Sequence, residues 1–127
     1  MSYVFTKTLD VPFDEAIERA TVALAERGFG VLTTIDVKAT LKKKLDVDFR
    51  PYTILGACNP GYAHQALGAE PHIGAMLPCN VVVQEADDGV EVAAVDPVAS
   101  MAAIENPALG EVATRVRAML QEAVESL

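Results

Sequence analysis

Two cysteines are the residues of this 127-residue chain whose types and spacing could do chemistry. Each is followed by an asparagine and has a proline close by, in the segments Cys58-Asn59-Pro60 and Pro78-Cys79-Asn80. Cys58 directly precedes the predicted start of a helix, where unpaired N–H groups and the helix dipole favour negative charge. We therefore expect the Cys58 thiol to ionise more easily than a free thiol, with Cys79 as its partner.

The first kind of site that these thiols could form is a soft-metal site, because thiolates bind copper(I) and zinc. His64 is the predicted third ligand, and the further candidates are His72, Met76 and Met101. Cys58 and His64 are six residues apart, and His72 and Cys79 are seven apart. Both spacings are longer than those of a zinc knuckle, so the motif identifies no particular metal and the cofactor stays open.

Two other kinds of site use the same residues. The thiols could form a redox-active dithiol in which Cys58 is the more nucleophilic partner. A small ligand could instead lie against the helix N-terminus, in contact with Cys58, Asn59, Cys79 and Asn80. The alternative to any site is that both cysteines are small buried residues at tight turns.

No other motif in the sequence supplies a nucleophile together with a base. The chain contains no phosphate-binding Gly-x-x-x-x-Gly-Lys loop, no Gly-x-Ser-x-Gly elbow and no His-Glu-x-x-His pair. We therefore assign no catalytic residue, and the sequence leaves open whether the protein is an enzyme.

A shared site for the two cysteines requires two strands to lie side by side. Cys58 ends a strand predicted from about Tyr52, and Cys79 begins a strand that includes Val81–Val83. If these strands are antiparallel neighbours, the end of one lies opposite the start of the next, so the two sulfur atoms could approach each other. A disulfide within the chain would need the two alpha carbons within about 7 Å.

The rest of the pattern predicts an α+β fold in one domain, residues 1–127, since two separate cores would each be too small. Five strands are predicted, at Tyr3–Val11, Phe29–Asp36, Tyr52–Ala57, Val81–Val83 and Val90–Val95, the last two joined by a turn at Asp87-Asp88-Gly89. Long helices are predicted from Pro12 to a glycine cap at Gly28 and from Asn106-Pro107 to Leu127, with short helices after Asp36 and Asn59. This order favours a mostly antiparallel sheet with both long helices on one face.

Composition and charge narrow the possible partners. A hydrophobic content of 51% excludes a disordered acidic tail, and a net charge of −8 argues against a nucleic-acid binder. The sequence shows no signal peptide and no apolar run of membrane length, so we expect a cytoplasmic protein without membrane contact. The second face of the sheet needs cover, which predicts a homodimer.

The charge is distributed unevenly along the chain. Residues 1–63 contain eight basic and eight acidic side chains, whereas residues 64–127 contain two basic and ten acidic ones. The neutral half includes a basic cluster made of Lys38, Lys42, Lys43, Lys44 and Arg50. Such a cluster could dock an acidic partner or could simply be a solvated helix face. A non-catalytic dimeric interaction module with structural cysteines is therefore the alternative function.

The residues around both cysteines resemble the signature of the domain-of-unknown-function 302 (DUF302) family. The matching segments are Ile54–Pro60, Gly74–Val83, Val95–Pro97 and Gly28–Val31 with Asp36, so the resemblance covers essentially the whole chain. The doubled Cys-Asn pair is its most specific feature. One departure is Ala75-Met76, where the family usually has a leucine run, and this difference could alter a pocket wall.

The resemblance implies a fold similar to the TATA-binding-protein-like arrangement of strand, helix, four strands and helix, often as a dimer. It implies no established activity. The motif residues that it carries over to this chain are Cys58, Asn59, Pro60, Pro78, Cys79, Asn80, Asp96 and Pro97. The likeness to a DNA-binding fold does not itself predict DNA binding, because the chain is strongly acidic.

Overall fold

A five-stranded sheet with the order β1-β5-β4-β3-β2 forms the centre of the computed structural model, which describes residues 2–127. The strands are β1 (Val4–Leu9), β2 (Gly30–Asp36), β3 (Tyr52–Cys58), β4 (Cys79–Ala86) and β5 (Gly89–Val95). Every neighbouring pair of strands is antiparallel. The predicted α+β class is therefore confirmed.

Residues 2–127 also form five α-helices and one 3₁₀ helix. They are α1 (Phe13–Ala25), α2 (Val37–Leu45), α3 (Pro60–Ala69), α4 (Pro97–Ser100), α5 (Pro107–Glu125) and the 3₁₀ helix Pro71–Met76. The predicted capping side chains of Asp36, Asn59 and Asn106 each accept a hydrogen bond from a backbone N–H in the first turn of the following helix. Within residues 2–127, no helix is both long enough and apolar enough to cross a bilayer.

The end of α1 differs slightly from the prediction. Gly28 has the expected left-handed conformation with φ of 83°, but the helix itself ends at Ala25. The backbone N–H of Phe29 then donates to the carbonyl oxygen of Leu24 at 3.0 Å, which turns the chain back toward β2. As a result, the Phe29 side chain is only 3% exposed and joins the core.

Apolar side chains fill the space between one face of the sheet and the two long helices. α1 and α5 pack on each other, and both pack on β5. This main cluster includes Leu55, Val81, Val83, Val92 and Leu120, which are almost completely buried. Both long helices therefore lie on one face, as the sequence predicts.

A smaller cluster of buried residues lies between α3, the 3₁₀ helix and α5. Its members are Ala66, Ile73, Met101, Leu109 and Ala113. Residues of this smaller cluster and of the main cluster line one cavity.

Asp96 fixes the position of α4 against α5. One carboxylate oxygen of Asp96, Oδ2, accepts from Nε of Arg117 at 3.1 Å, and the other, Oδ1, accepts from the backbone N–H of Val98 at 2.9 Å. Because the Asp96 side chain is mostly buried, these charge-assisted bonds are stronger than a surface ion pair. They hold the segment that carries Met101 in place.

α2 packs less tightly than the other helices. It contacts β2 and β3 but buries none of its residues, and Leu45 is 66% exposed. Lys42 forms surface ion pairs with Asp46 at 3.0 Å and with Asp48 at 3.4 Å. The basic cluster of the sequence is therefore a solvent-facing surface.

Gly56 is the point where β3 meets the segment that leads to Cys79. A Cβ atom at this buried position would overlap the side chain of Thr33 and would lie 2.7 Å from Cγ of Pro78. Since Pro78 directly precedes Cys79, the missing side chain at Gly56 allows the start of β4 to pack closely on β3.

We predict that Gly56→Ala lowers the free energy of unfolding by about 1–3 kcal/mol, the usual cost of overpacking. Gly110→Ala on α5 is the matched control, because no other part of the chain lies within 4 Å of the added methyl group. It should be neutral or stabilising by up to about 1 kcal/mol, since alanine favours helix over glycine. Urea unfolding of both variants measures these changes, and equal stability of the two would contradict the packing role of Gly56.

Candidate functional site

The antiparallel pairing of β3 with β4 brings both cysteines to one end of the sheet. Ala57 lies directly opposite Cys79, and Cys58 is the next residue along β3. The 20 residues between the two cysteines form α3 and the 3₁₀ helix and return the chain to the same place. The predicted adjacency of the two strands is therefore confirmed.

Both cysteines line one cavity of about 30 Å³. The cavity lies where the main and the smaller clusters meet, because Cys79 belongs to one cluster and Met101 to the other. The wall consists of Phe29, Ala57, Cys58, Asn59, Tyr62, Ala63, Ala66, Leu77, Pro78, Cys79, Met101, Val112, Ala113 and Val116. A space of this size holds one or two occupants about as large as a water molecule.

The two thiols differ in their exposure. Cys58 is half-buried, whereas Cys79 is only 7% exposed. Burial raises the pKa of the Cys79 thiol from an ordinary value of 9.0 to about 11, and the negative charge of an ionised Cys58 adds to this rise. At neutral pH, the buried thiol of Cys79 is therefore protonated.

The strand register also bears on the predicted dithiol. Cys79 shares its side of the sheet with Ala57, its cross-strand partner, and successive residues of a strand point to opposite faces. A disulfide needs Cβ atoms about 3.5–4.5 Å apart and pointing toward each other. Both cysteines are free thiols. The offset of one residue therefore makes a direct disulfide between Cys58 and Cys79 unfavourable.

Asn59 connects the cavity to the start of α3. Its side-chain oxygen accepts a hydrogen bond from the backbone N–H of Tyr62 at 3.2 Å, which caps the helix. Because Cys58, Asn59 and Tyr62 all line the cavity, the N-terminal end of α3 lies at its wall. The helix dipole there favours negative charge on a neighbouring group.

Two of the predicted site residues lie away from the cavity. Asn80 is exposed and pairs with Gly56, one position along β4 from Cys79, so its side chain lies on the other face of the sheet. His64 is exposed on α3, where Tyr62, Ala63 and Ala66 form the face that lines the cavity. The helix periodicity directs residue 64 toward solvent instead.

The predicted metal set of Cys58, Cys79 and His64 is accordingly not brought together. In the part of the chain that the structure describes, no group of three histidine, cysteine, aspartate or glutamate side chains is arranged to hold a metal ion. Any metal site at the two cysteines therefore needs a different third ligand.

Several wall residues carry no distinctive sequence signal. Val112, Ala113 and Val116 belong to the apolar stripe of α5, and residues that line a cavity have the same helical spacing as residues that fill a core. Met101 is one of several candidate ligands in the sequence, and the structure places it on the wall. Met76, by contrast, is 44% exposed and lies elsewhere.

The raised pKa of Cys79 predicts a loss of stability at high pH. Between pH 9.0 and about 11 the unfolded chain releases the thiol proton while the folded chain keeps it, so the free energy of unfolding falls as pH rises through this window. Relative to Cys79→Val, which removes the titrating group at similar volume, the wild type should lose up to about 2 kcal/mol by the top of the window. Urea unfolding at a series of pH values measures the difference.

A control variant separates the two causes of the shift. Cys58→Ser removes the neighbouring charge but leaves the burial, so the pKa of Cys79 should fall below about 11 and stay above 9.0. Parallel pH profiles for the wild type and Cys79→Val would contradict the assignment.

Comparisons with known proteins agree with this fold. The model of the family described as "Domain of unknown function DUF302" matches residues 5–127. A solved structure, that of an uncharacterized conserved DUF302 protein from Bacillus stearothermophilus, is similar with a TM-score of 0.91 and 29% sequence identity. The similarity covers 98% of this chain and 98% of that chain. Among curated proteins, none matches the chain.

Proposed function

Because the chain belongs to the DUF302 family, whose function is unknown, we propose its function from the geometry of the cysteine cavity: the protein binds one soft metal ion between Cys58 and Cys79. The observation that supports this proposal is that two cysteine residues, one half-buried and one buried, are part of the wall of the same small cavity. Thiolates are strong ligands for soft metal ions. Cys58, the more accessible thiol, meets an incoming ion first, and Cys79 binds it from within.

The size of the cavity favours a metal ion over an organic ligand. A cavity of about 30 Å³ is roughly tenfold smaller than the smallest typical small-molecule pocket of about 300 Å³. A groove of about 440 Å³ between α3 and α5 is large enough for an organic molecule, but neither cysteine lines it. A ligand that uses both thiols must therefore be as small as an ion.

The apolar wall of the cavity supports the same conclusion. None of the side chains on the wall is charged. Metal binding deprotonates a thiol and so replaces a proton with a metal ion at the same place. The surrounding apolar residues exclude water, which strengthens the attraction between the ion and the thiolates.

Equilibrium dialysis of the reduced protein against zinc, and against copper(I) without oxygen, tests the proposal. We expect one ion of at least one of the two metals per chain, and we expect Cys58→Ser and Cys79→Ser each to abolish stoichiometric binding. His64→Ala is the matched control and should bind normally, because His64 lies outside the cavity. Circular dichroism verifies that each variant is folded. Failure to bind either metal, or full binding by both serine variants, would refute the proposal.

A second candidate function is a non-catalytic interaction module whose partner is another copy of the chain. The specific observation is the exposed apolar surface around α2, where Ile35, Leu45 and Val47 are 48%, 66% and 42% exposed. The lysines of α2 carry positive charge, while all of the net negative charge lies in residues 64–127. Two copies could therefore pair α2 of one with the acidic half of the other.

Light scattering tests this second function. We expect a particle of twice the chain mass for the wild type and of a single chain mass for Leu45→Glu, because a charge would be buried in the interface. Leu67→Glu is the control, since Leu67 is also exposed, at 46%, but lies on α3. A wild-type particle of single-chain mass, or no difference between the two variants, would exclude α2 as a dimer interface.

A further inference from the structure

We propose that the groove between α3 and α5 binds a free amino acid with an apolar side chain. The groove has a volume of about 440 Å³, which lies within the range of about 300–1,000 Å³ that is typical of small-molecule sites. Neither cysteine lines it, so this site does not depend on metal binding in the cysteine cavity.

Helical spacing directs side chains of both helices into the groove. Tyr62, Gln65 and Ala69 line it from α3, and they recur at intervals of three and four residues, which places them in one stripe of that helix. A stripe with the same kind of spacing lines the groove from α5, so side chains form both walls. The stripe on α5 consists of Ala108, Glu111, Val112 and Arg115.

The two ends of the groove differ in polarity. At one end, Tyr62 lies close enough to Arg115 to raise the pKa of its guanidinium, chiefly through a hydrogen bond. At the other end, the side chain of Asn106 donates to the carbonyl oxygen of Ala69 at 2.9 Å and accepts from the backbone N–H of Ala108 at 3.1 Å. The two helices therefore run in opposite directions along the groove, with a charged end at Arg115 and an apolar end at Ala69 and Ala108.

The charged end carries one cation and one anion. Nη2 of Arg115 donates to Oε1 of Glu111 at 3.4 Å, a single long contact that leaves other N–H donors of the guanidinium for a ligand. α3 begins at the same end, and the dipole of its first turn also favours a negative group there. A ligand carboxylate therefore fits beside Arg115, and a ligand ammonium group fits beside Glu111.

Charge distinguishes this groove from a similar one next to α1. That second groove has a volume of about 470 Å³ and also contains an ion pair, between Arg19 and Glu15 at 3.4 Å. Two further glutamates line it, so negative charges outnumber positive ones and repel a carboxylate. In the groove between α3 and α5, Glu111 balances Arg115, and a zwitterion pairs with both charges without adding any net charge.

The length of the groove favours a single amino acid over a peptide. Arg115 and Ala108 are seven residues apart on α5, which corresponds to about 10 Å at a rise of about 1.5 Å per residue. An amino acid whose charged groups contact Arg115 and Glu111 extends its side chain over Val112 toward the apolar end. The remaining length accommodates one apolar side chain, such as that of phenylalanine or leucine.

Titration calorimetry of the metal-free protein with L-phenylalanine and L-leucine tests the proposal. We expect both to bind saturably, with one molecule per chain. N-acetyl-L-phenylalanine lacks the ammonium group, and L-phenylalaninamide lacks the carboxylate. Each should bind at least about tenfold more weakly than phenylalanine, because charge-assisted hydrogen bonds are about twice as strong as neutral ones.

Three variants locate the binding site. Arg115→Gln should weaken the binding of phenylalanine at least about tenfold, because it removes the charge that pairs with the carboxylate. Glu111→Gln should remove the preference for phenylalanine over its N-acetyl derivative. Arg19→Gln is the matched control and should bind as the wild type, because Arg19 forms an i,i+4 ion pair of the same length outside this groove. Circular dichroism verifies that each variant is folded.

The outcomes are independent of the proposed function, since the titrations contain no metal. Absence of saturable binding by both amino acids would overturn the proposal, as would full binding of phenylalanine by Arg115→Gln. Equal affinity of the wild type for phenylalanine and its N-acetyl derivative would show that Glu111 does not pair with the ligand and that the zwitterion is the wrong class. An equal loss in Arg19→Gln would mean that binding follows the overall charge of the protein rather than this groove.

Discussion

The antiparallel register of β3 and β4 is the constraint on which the rest of the site depends. Because Ala57 lies opposite Cys79, the last residues of β3 and the first residues of β4 meet at one end of the sheet. The close packing of Pro78 against Gly56 supports this arrangement. A shift by a single residue would exchange the faces of the sheet for every side chain of β4 and would remove Cys79 from the cavity.

The burial of Cys79 disfavours ionisation of its thiol, but the same burial would strengthen its attraction to a bound cation. Cys79 is surrounded by apolar residues, which disfavour its ionised form and raise its pKa. The same surroundings exclude competing water from a bound ion. A buried thiol with a raised pKa is therefore poorly suited to act as a free nucleophile. In the proposed function, a cation replaces its proton and offsets the cost of the buried negative charge.

Local sequence signals predict most of the fold but only part of the site. The capping residues Asp36, Asn59 and Asn106 mark the starts of three helices, because capping depends on a few neighbouring residues. The placement of both cysteines at one edge also follows from the strand order. The position of His64 does not, since which face of a short helix is buried depends on packing with α5. Met101 reaches the cavity through long-range contacts between α4 and α5 that no local pattern encodes.

The most direct test of the account is a crystal structure of the reduced protein loaded anaerobically with copper(I), with anomalous scattering used to locate the metal. We predict one anomalous peak per chain, within bonding distance of the sulfur atoms of both Cys58 and Cys79. An empty cavity, with metal found only at exposed positions such as His64 or His72, would contradict it.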